Sequence, residues 1–230
     1  MRTVFFIWDL GIGGTQTQLS TLTDRMAQEG HDILVVTMYP GGQNWKWLSD
    51  RGRVRLQSLF SKRLRGITRV LVGLRLSFGV LRLRRLLQRE QQTLVNSLLD
   101  LNNLIAWLAT RRMPNVKLVW WMRASDGIEN VQEMLAYHIC KRVSASVPLL
   151  IANSTTGLAH HEAKGFRCQK KVVAYNGIDT QHFRPDSEAR ERVRAEWGVN
   201  GQEELIGIIG RFTPIKGHEI FLKAASVLSE

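Results

Sequence analysis

Short apolar runs alternate with longer amphipathic stretches along most of the chain. Val4–Trp8 is unbroken apolar sequence ending at Asp9, the pattern of a strand buried on both faces. A glycine-rich stretch, GIGGTQTQ at 11–18, follows it. Leu19, Leu22 and Met26 then recur at helical spacing up to a stop at Gly30. Ile33–Thr37 is a second apolar run, closed by Tyr39-Pro40-Gly41-Gly42. Strand, glycine loop, helix and strand in this order define a βαβ unit with a right-handed crossover.

The alternation continues downstream. Val54–Leu56, Thr93–Leu98, Val116–Met122, Leu149–Ala152 and Val172–Tyr175 read as strands. Ile67–Gln88, Leu101–Thr110, Ile128–Val143 and the stretch from Asn153-Ser154 to Lys164 read as the helices between them. Such alternation predicts an α/β fold: a doubly wound, Rossmann-like parallel sheet covered on both faces. HFRPDSE at 182–188 breaks the pattern with a proline and polar residues. The predicted organisation is a Rossmann-like domain over 1–180, a linker with a polar helix (Ser187–Trp197) over 181–200, and the opening of a second Rossmann-like domain over 201–230. That opening reads as a buried strand at Glu204–Ile209, a loop at Gly210–Lys216 and a helix at Gly217–Ser229.

Composition narrows the class. With 44% hydrophobic and 23% charged residues the chain is globular, not disordered. No apolar run approaches the roughly 18 residues of a membrane span. The N-terminus reaches Asp9 too soon to hold a secretory apolar region. Two cysteines, Cys140 and Cys168, are too few and too far apart for a zinc site or a disulfide framework, which points to a reducing, cytoplasmic setting.

Charge changes the picture more. The formal net charge is +12, and residues 51–90 alone hold twelve Lys or Arg and a single acid, Glu90. Arg63, Arg65, Arg69, Arg75, Arg82, Arg84 and Arg85 are interleaved there with Leu, Val and Phe. Three readings stand: a helix lying on an anionic membrane with snorkelling arginines, a solvated face beside a core-packing stripe, or a nucleic-acid groove. Leucines on more than one face (Leu76, Leu83, Leu87) favour the membrane surface. Nucleic acid rests on charge alone, because no recognition motif accompanies it.

The candidate chemistry sits on loops after strands. Gly11, Gly13, Gly14 and Thr15 lie where α/β proteins place anionic ligands, at a helix N-terminus with free backbone N–H groups. The alternative is a tight turn that lets helix and sheet pack closely. Gln16 stands where a dinucleotide fingerprint needs its third glycine, no acid follows the second strand, and no P-loop lysine is present. Arg211 and Lys216, on the short loop Gly210–Gly217, have the makings of a diphosphate clamp: a planar fork and a point charge beside a helix N-terminus. On spacing alone they are equally well solvated loop charges. His160-His161-Glu162 lacks the second histidine of a zinc helix, since position 165 is glycine, and no metal site is predicted.

The ordered series Ile151-Ala-Asn-Ser154, GLAHHEAKGF at 157–166, Tyr175-Asn-Gly-Ile-Asp179, His182-Phe-Arg-Pro185 and Gly210-Arg-Phe-Thr-Pro-Ile-Lys-Gly-His218, together with the glycine-rich opening, resembles the family 4 retaining glycosyltransferases of GT-B fold. The resemblance implies transfer of a sugar from a nucleotide-diphosphate sugar to a glycan or lipid-linked acceptor, with retained configuration and usually without a metal or other cofactor. It assigns Arg211 and Lys216 to the donor diphosphate, the glycine loop to the cleft, and Asn176, Gly177 and Asp179 to the turn that leads into the linker. Three departures stand out. Tyr175 replaces a proline common before Asn-Gly-Ile-Asp. Trp-Met-Arg-Ala-Ser at 121–125 occupies the region of a frequent cleft histidine, making Arg123 and Ser125 the candidate catalytic residues. The family's Glu-x7-Glu motif belongs further downstream than Glu230. The expectation is therefore an enzyme represented here without most of its donor domain, set in polysaccharide or glycolipid synthesis at the inner membrane face. The competing expectation is a non-catalytic acceptor- or membrane-binding module.

Overall fold

The computed structural model describes the backbone at residues 2–62, 69–90, 93–123 and 131–228, and the side chains of all of these except 69–74 and 215. It divides into two compact units, 1–177 and 178–230.

The first unit is a seven-stranded, all-parallel sheet in the order β3-β2-β1-β4-β5-β6-β7. Its strands are β1 (Arg2–Ile7), β2 (Ile33–Thr37), β3 (Arg55–Ser58), β4 (Thr93–Leu98), β5 (Val116–Met122), β6 (Leu149–Ala152) and β7 (Lys170–Val173). Its helices are α1 (Gly14–Gln28), α2 (Gln43–Arg51), α3 (Arg69–Gln88), α4 (Asp100–Thr110), α5 (Val131–Val143) and α6 (Thr155–Ala163). Strand alternation sorts the core into two layers. Phe5 and Ile7 of β1 face one way, with Val35 of β2, onto Leu19 of α1 and Leu48 of α2. Val4 and Phe6 face the other way, with Trp120 of β5, toward Leu83 and Leu87 of α3 and Ile105 of α4. The crossover through α3 carries the chain from β3 at one edge to β4 beside β1, and this reversal sets the sheet's switch point.

The predicted strands and helices of this unit are all present, with shifts of a few residues at their ends. The start of the helix predicted over Ile128–Val143 lies outside the described residues. Sequence periodicity missed α2, a nine-residue helix of Trp and charged residues. Its single buried side chain, Leu48, leaves too little apolar pattern to read.

The second unit holds α7 (Ser187–Glu196), a 3-10 turn at Pro214–Lys216 and α8 (His218–Leu228). Asp186 caps α7 by accepting from the Ala189 N–H at 2.9 Å. The strand predicted at Glu204–Ile209 does not form; those residues carry no regular secondary structure and pair with no strand among the described residues. The physical reason is that a parallel strand exists only through its ladder, and this unit offers no second strand to complete one.

Phe6 is fully buried at the sheet centre. Phe6→Ala is expected to lower the unfolding free energy by roughly 3–5 kcal/mol, read as a fall in urea midpoint at unchanged slope.

Candidate functional site

The C-terminal edge of the sheet gathers the loops after β1, β2, β4, β5 and β7. The glycine loop after β1 is built by contact with its neighbours. Asp9 accepts from the Gly11 N–H at 3.1 Å. The start of α2 closes on the same loop: Asn44 donates its backbone N–H to the Leu10 carbonyl at 3.0 Å and its side-chain amide to the Gly11 carbonyl at 2.6 Å. Gly42 is what allows this approach. It has φ +105, and a Cβ there would stand 2.4 Å from the Leu10 oxygen. Gly13 precedes α1 as its N-cap, while Gly14 and Thr15 are the first helical residues. A Cβ on Gly14 would meet nothing within 4 Å, so this side of the helix N-terminus is open. Tight packing thus belongs to Gly42, and open space to Gly14.

After β5, Arg123 stacks its guanidinium over the Trp121 ring at 5.0 Å and donates Nη1 to the Asn176 side-chain carbonyl. Burial lowers its pKa, though an arginine remains a cation. Gly177, next to Asn176, is held by Gln18 of α1. The Gln18 amide donates to the Gly177 carbonyl at 2.8 Å and accepts from the Gly177 N–H at 3.0 Å. Of the proposed cleft residues, the glycine-loop helix, Arg123, Asn176 and Gly177 therefore meet in one region. Ser125 lies outside the described residues. Asp179 falls in the second unit, where its carboxylate accepts from the Gln181 and His182 N–H groups, both at 3.0 Å.

In that unit Arg211 and Lys216 are exposed on one loop immediately before α8. The loop is shaped by the Lys216 N–H on the Thr213 carbonyl at 3.0 Å, the His218 ring on the Arg211 carbonyl at 2.9 Å, and Gly217 at φ +71. Among the described residues no carboxylate pairs with either cation.

The basic helix divides its arginines between two tasks. Arg75 donates to the Lys62 carbonyl at 2.7 Å and lies over Tyr39 and Phe60; Arg82 donates to the Leu59 carbonyl at 2.6 Å and lies over Phe60. Arg84 reaches the Ala109 carbonyl at 3.3 Å. These three brace the structure. The leucines read as lying on more than one face, Leu76, Leu83 and Leu87, share one helical face and turn to the core; Arg85 is exposed on the outer face with Phe78 and Leu81. Arg63, Arg65 and the Arg69 side chain lie outside the described residues. No helix among the described residues is long and apolar enough to cross a membrane. No group of three metal-ligating side chains occurs among them either.

A doubly wound parallel sheet with a glycine loop at its switch point, followed by the start of a second unit, is the architecture of the first half of a GT-B glycosyltransferase. By sequence the chain belongs to Glycosyltransferase Family 4, whose pattern matches residues 12–182. It is 24% identical over 226 residues to a D-inositol 3-phosphate glycosyltransferase of Rhodococcus erythropolis, covering 93% of this chain and 50% of that protein. A protein of the same name from Corynebacterium urealyticum is 28% identical over 148 residues, 60% of this chain and 34% of the relative. Anabaena HepE, solved in complex with UDP and glucose, superposes with a TM-score of 0.73 at 18% identity, over 98% of this chain and 57% of that one. Sucrose-phosphate synthase from Thermosynechococcus elongatus superposes with a TM-score of 0.75 at 15% identity, over 98% and 59%. The chain thus spans half or less of the curated relatives' length.

The turn from β4 into α4 has no counterpart in the sequence reading. Leu99 sits at φ +74, a conformation that costs a non-glycine residue about 1–3 kcal/mol. A polar network holds it. Leu99 donates its N–H to the Trp121 carbonyl at 3.1 Å, Asn102 donates to the Leu98 carbonyl at 2.6 Å, and Ser97 donates to Asn103 at 2.6 Å. Asp100 follows, with one carboxyl oxygen buried and without a hydrogen-bond partner. Burial, and secondarily the Glu133 carboxylate, push its pKa up from 3.8 to about 6. The folded state therefore prefers the protonated acid, so this residue destabilises the fold at pH 7 and ceases to do so as pH falls through 6 toward 3.8. Asp100→Asn should raise stability at pH 7 by roughly 1–3 kcal/mol, and the gain should vanish near pH 4. Urea titrations of both proteins at the two pH values measure it; an equal gain at both would mean that ionisation is not its source.

Proposed function

We propose that this chain supplies the acceptor-binding half, and the opening of the donor-binding half, of a retaining glycosyltransferase. The enzyme would move a sugar from a nucleotide-diphosphate sugar to a glycan or lipid-linked acceptor. The observation that carries the reading is the pair Arg211 and Lys216, both exposed at the N-terminus of α8 and both without a carboxylate partner among the described residues. As the bond between sugar and phosphate breaks, negative charge builds on the leaving diphosphate. Two fixed cations and the helix N-terminus stabilise that charge more than they stabilise the ground state. In this reading they do so without a metal or other cofactor. The UDP and glucose bound by HepE support a nucleotide-sugar donor. The Gly14 side of α1 is the open wall for the acceptor, beside the switch point where α/β sheets bind ligands.

The setting we infer is polysaccharide or glycolipid synthesis at the inner face of the membrane. What supports it is the outer face of α3, where Phe78 and Leu81 are exposed beside Arg85. Arginines near an anionic leaflet contribute on the order of 1 kcal/mol each, and apolar side chains add insertion. Nucleic acid is the less favoured partner, since no recognition element accompanies the charge.

A second reading, a binding module without catalysis, draws on the second unit: α8 has no buried residue and Glu204–Ile209 pairs with nothing among the described residues. Transfer assays separate the two. In a protein that carries a complete donor domain after residue 230, Lys216→Ala should cost roughly 2–4 kcal/mol of transition-state stabilisation. The 230-residue chain alone should bind nucleotide sugar weakly and transfer none above background. Undiminished turnover in Lys216→Ala would falsify the assigned role.

Membrane contact has its own readout. Sedimentation with phosphatidylglycerol vesicles should exceed that with phosphatidylcholine vesicles and should fall as salt rises. Replacing Phe78 and Leu81 by Ser, or Arg85 by Glu, should weaken it severalfold. Equal binding to both vesicle types, or preferential retention on nucleic acid at the same salt, would remove the membrane from the account.

A further inference from the structure

We propose that Gln18 is a positioning residue that locks the end of the first unit onto the helix leading from the glycine loop. Gln18 was no part of the sequence reading, because nothing in a polar helical residue announces a partner 159 positions away.

Its side-chain amide meets both backbone groups of one residue. It donates to the Gly177 carbonyl at 2.8 Å and accepts from the Gly177 N–H at 3.0 Å. A glutamine amide presents a donor and an acceptor in one plane, so it completes a two-point pairing like that between neighbouring strands. The geometry matters because β7 ends at Val173, and the last ladder-like bond beyond it is the Ala174 N–H on the Ala152 carbonyl at 2.9 Å. Residues 175–177 have left the sheet and need another anchor. Arg123 supplies a second one, donating to the Asn176 side chain from the end of β5. Both anchors belong to the first unit and reach adjacent residues of the turn.

Beyond Gly177 the bonding becomes local. The Asp179 carboxylate and carbonyl take the N–H groups of Gln181, His182 and Phe183. Ile178 is 70% exposed, and the division into two compact units falls between Gly177 and Ile178. The residue before the junction is thus tied to α1, and the residues after it are tied to one another. This anchoring holds whether or not the chain transfers a sugar. It also gives Arg123 a mechanical role beside the catalytic one expected from sequence.

Amide exchange and limited proteolysis of the 230-residue protein test the lock. In the unmodified protein the Gly177 amide should be protected, and chymotrypsin should cut after Phe183 well before Tyr175, although these side chains are 65% and 70% exposed. Gln18→Ala should speed Gly177 exchange and cleavage at Tyr175 by roughly tenfold or more, the worth of one or two net hydrogen bonds. Exchange in β1 and β4 should not change. Gln18→Leu, similar in size but without the amide, should behave like Gln18→Ala. Gln18→Glu keeps the acceptor for the Gly177 N–H and should recover part of the protection. The lock is refuted if Gly177 exchanges at the open-chain rate in the unmodified protein, a result that needs no variant to fold. Gln18→Leu matching the unmodified protein would refute it too, as would protection lost equally across the whole sheet.

Discussion

The pairing of β1 with β4 is the constraint on which the rest of the molecule depends. Both strands lie at the centre of an all-parallel sheet and are covered on both faces, so β1 is apolar on both and the polar residues of β4, Thr93, Asn96 and Ser97, are buried with it. Parallel neighbours need crossovers, and right-handed crossovers leading away in opposite directions put helices on opposite faces. The helices α1 and α2 cover one layer while α3 and α4 cover the other. At the C-terminal ends of β1 and β4 the departing chains diverge, which leaves a crevice that no side chain is required to fill. The glycine loop and the Leu99–Asp100 turn flank it because topology sends them there.

That crevice is where the structure departs from relaxed geometry. Leu99 has a positive φ, and Asp100 is half-buried with a raised pKa and an unpaired oxygen. The surrounding Ser97, Asn102 and Asn103 are buried and hydrogen-bonded. A buried polar network of this kind couples its members, although the Asn102 side-chain oxygen, like one Asp100 oxygen, is left without a hydrogen-bond partner. It fixes the end of β4 against α4 and β5 at the cost of some stability.

Arginine serves two ends in the basic helix. Arg75 and Arg82 satisfy carbonyls of the β3–α3 connection and stack on aromatic rings gathered after β2 and β3. Arg85 stays outside with Phe78 and Leu81. The guanidinium fits both tasks: its planar fork holds carbonyls, its face stacks on rings, and it remains charged in either place. Composition reports only the sum of these uses. A net charge of +12 therefore overstates the cation available to a partner.

Sequence alone determined what short-range physics decides. Apolar runs with β-branched residues marked the seven strands of the first unit. Helical spacing and glycine stops marked the helices between them, and the polar, proline-containing break at 182–188 lies close to the division between the units at Gly177. Arg211 and Lys216 were legible because six residues on one loop suffice to bring them together. Tertiary structure decided what depends on distant neighbours. Glu204–Ile209 has the composition of a strand and is none here, because a strand is a relation between two segments and no second segment pairs with it among the described residues. Helix α2 was invisible because Leu48 is its one fully buried residue, with Trp45 and Trp47 packed only partly against the core. Gln18 and Gly42 owe their roles to Gly177 and Leu10, and Asp100 its raised pKa to burial first and Glu133 second, surroundings assembled only when the sheet closes its order. Periodicity records which way a residue faces; what it meets there is set by the path of the whole chain.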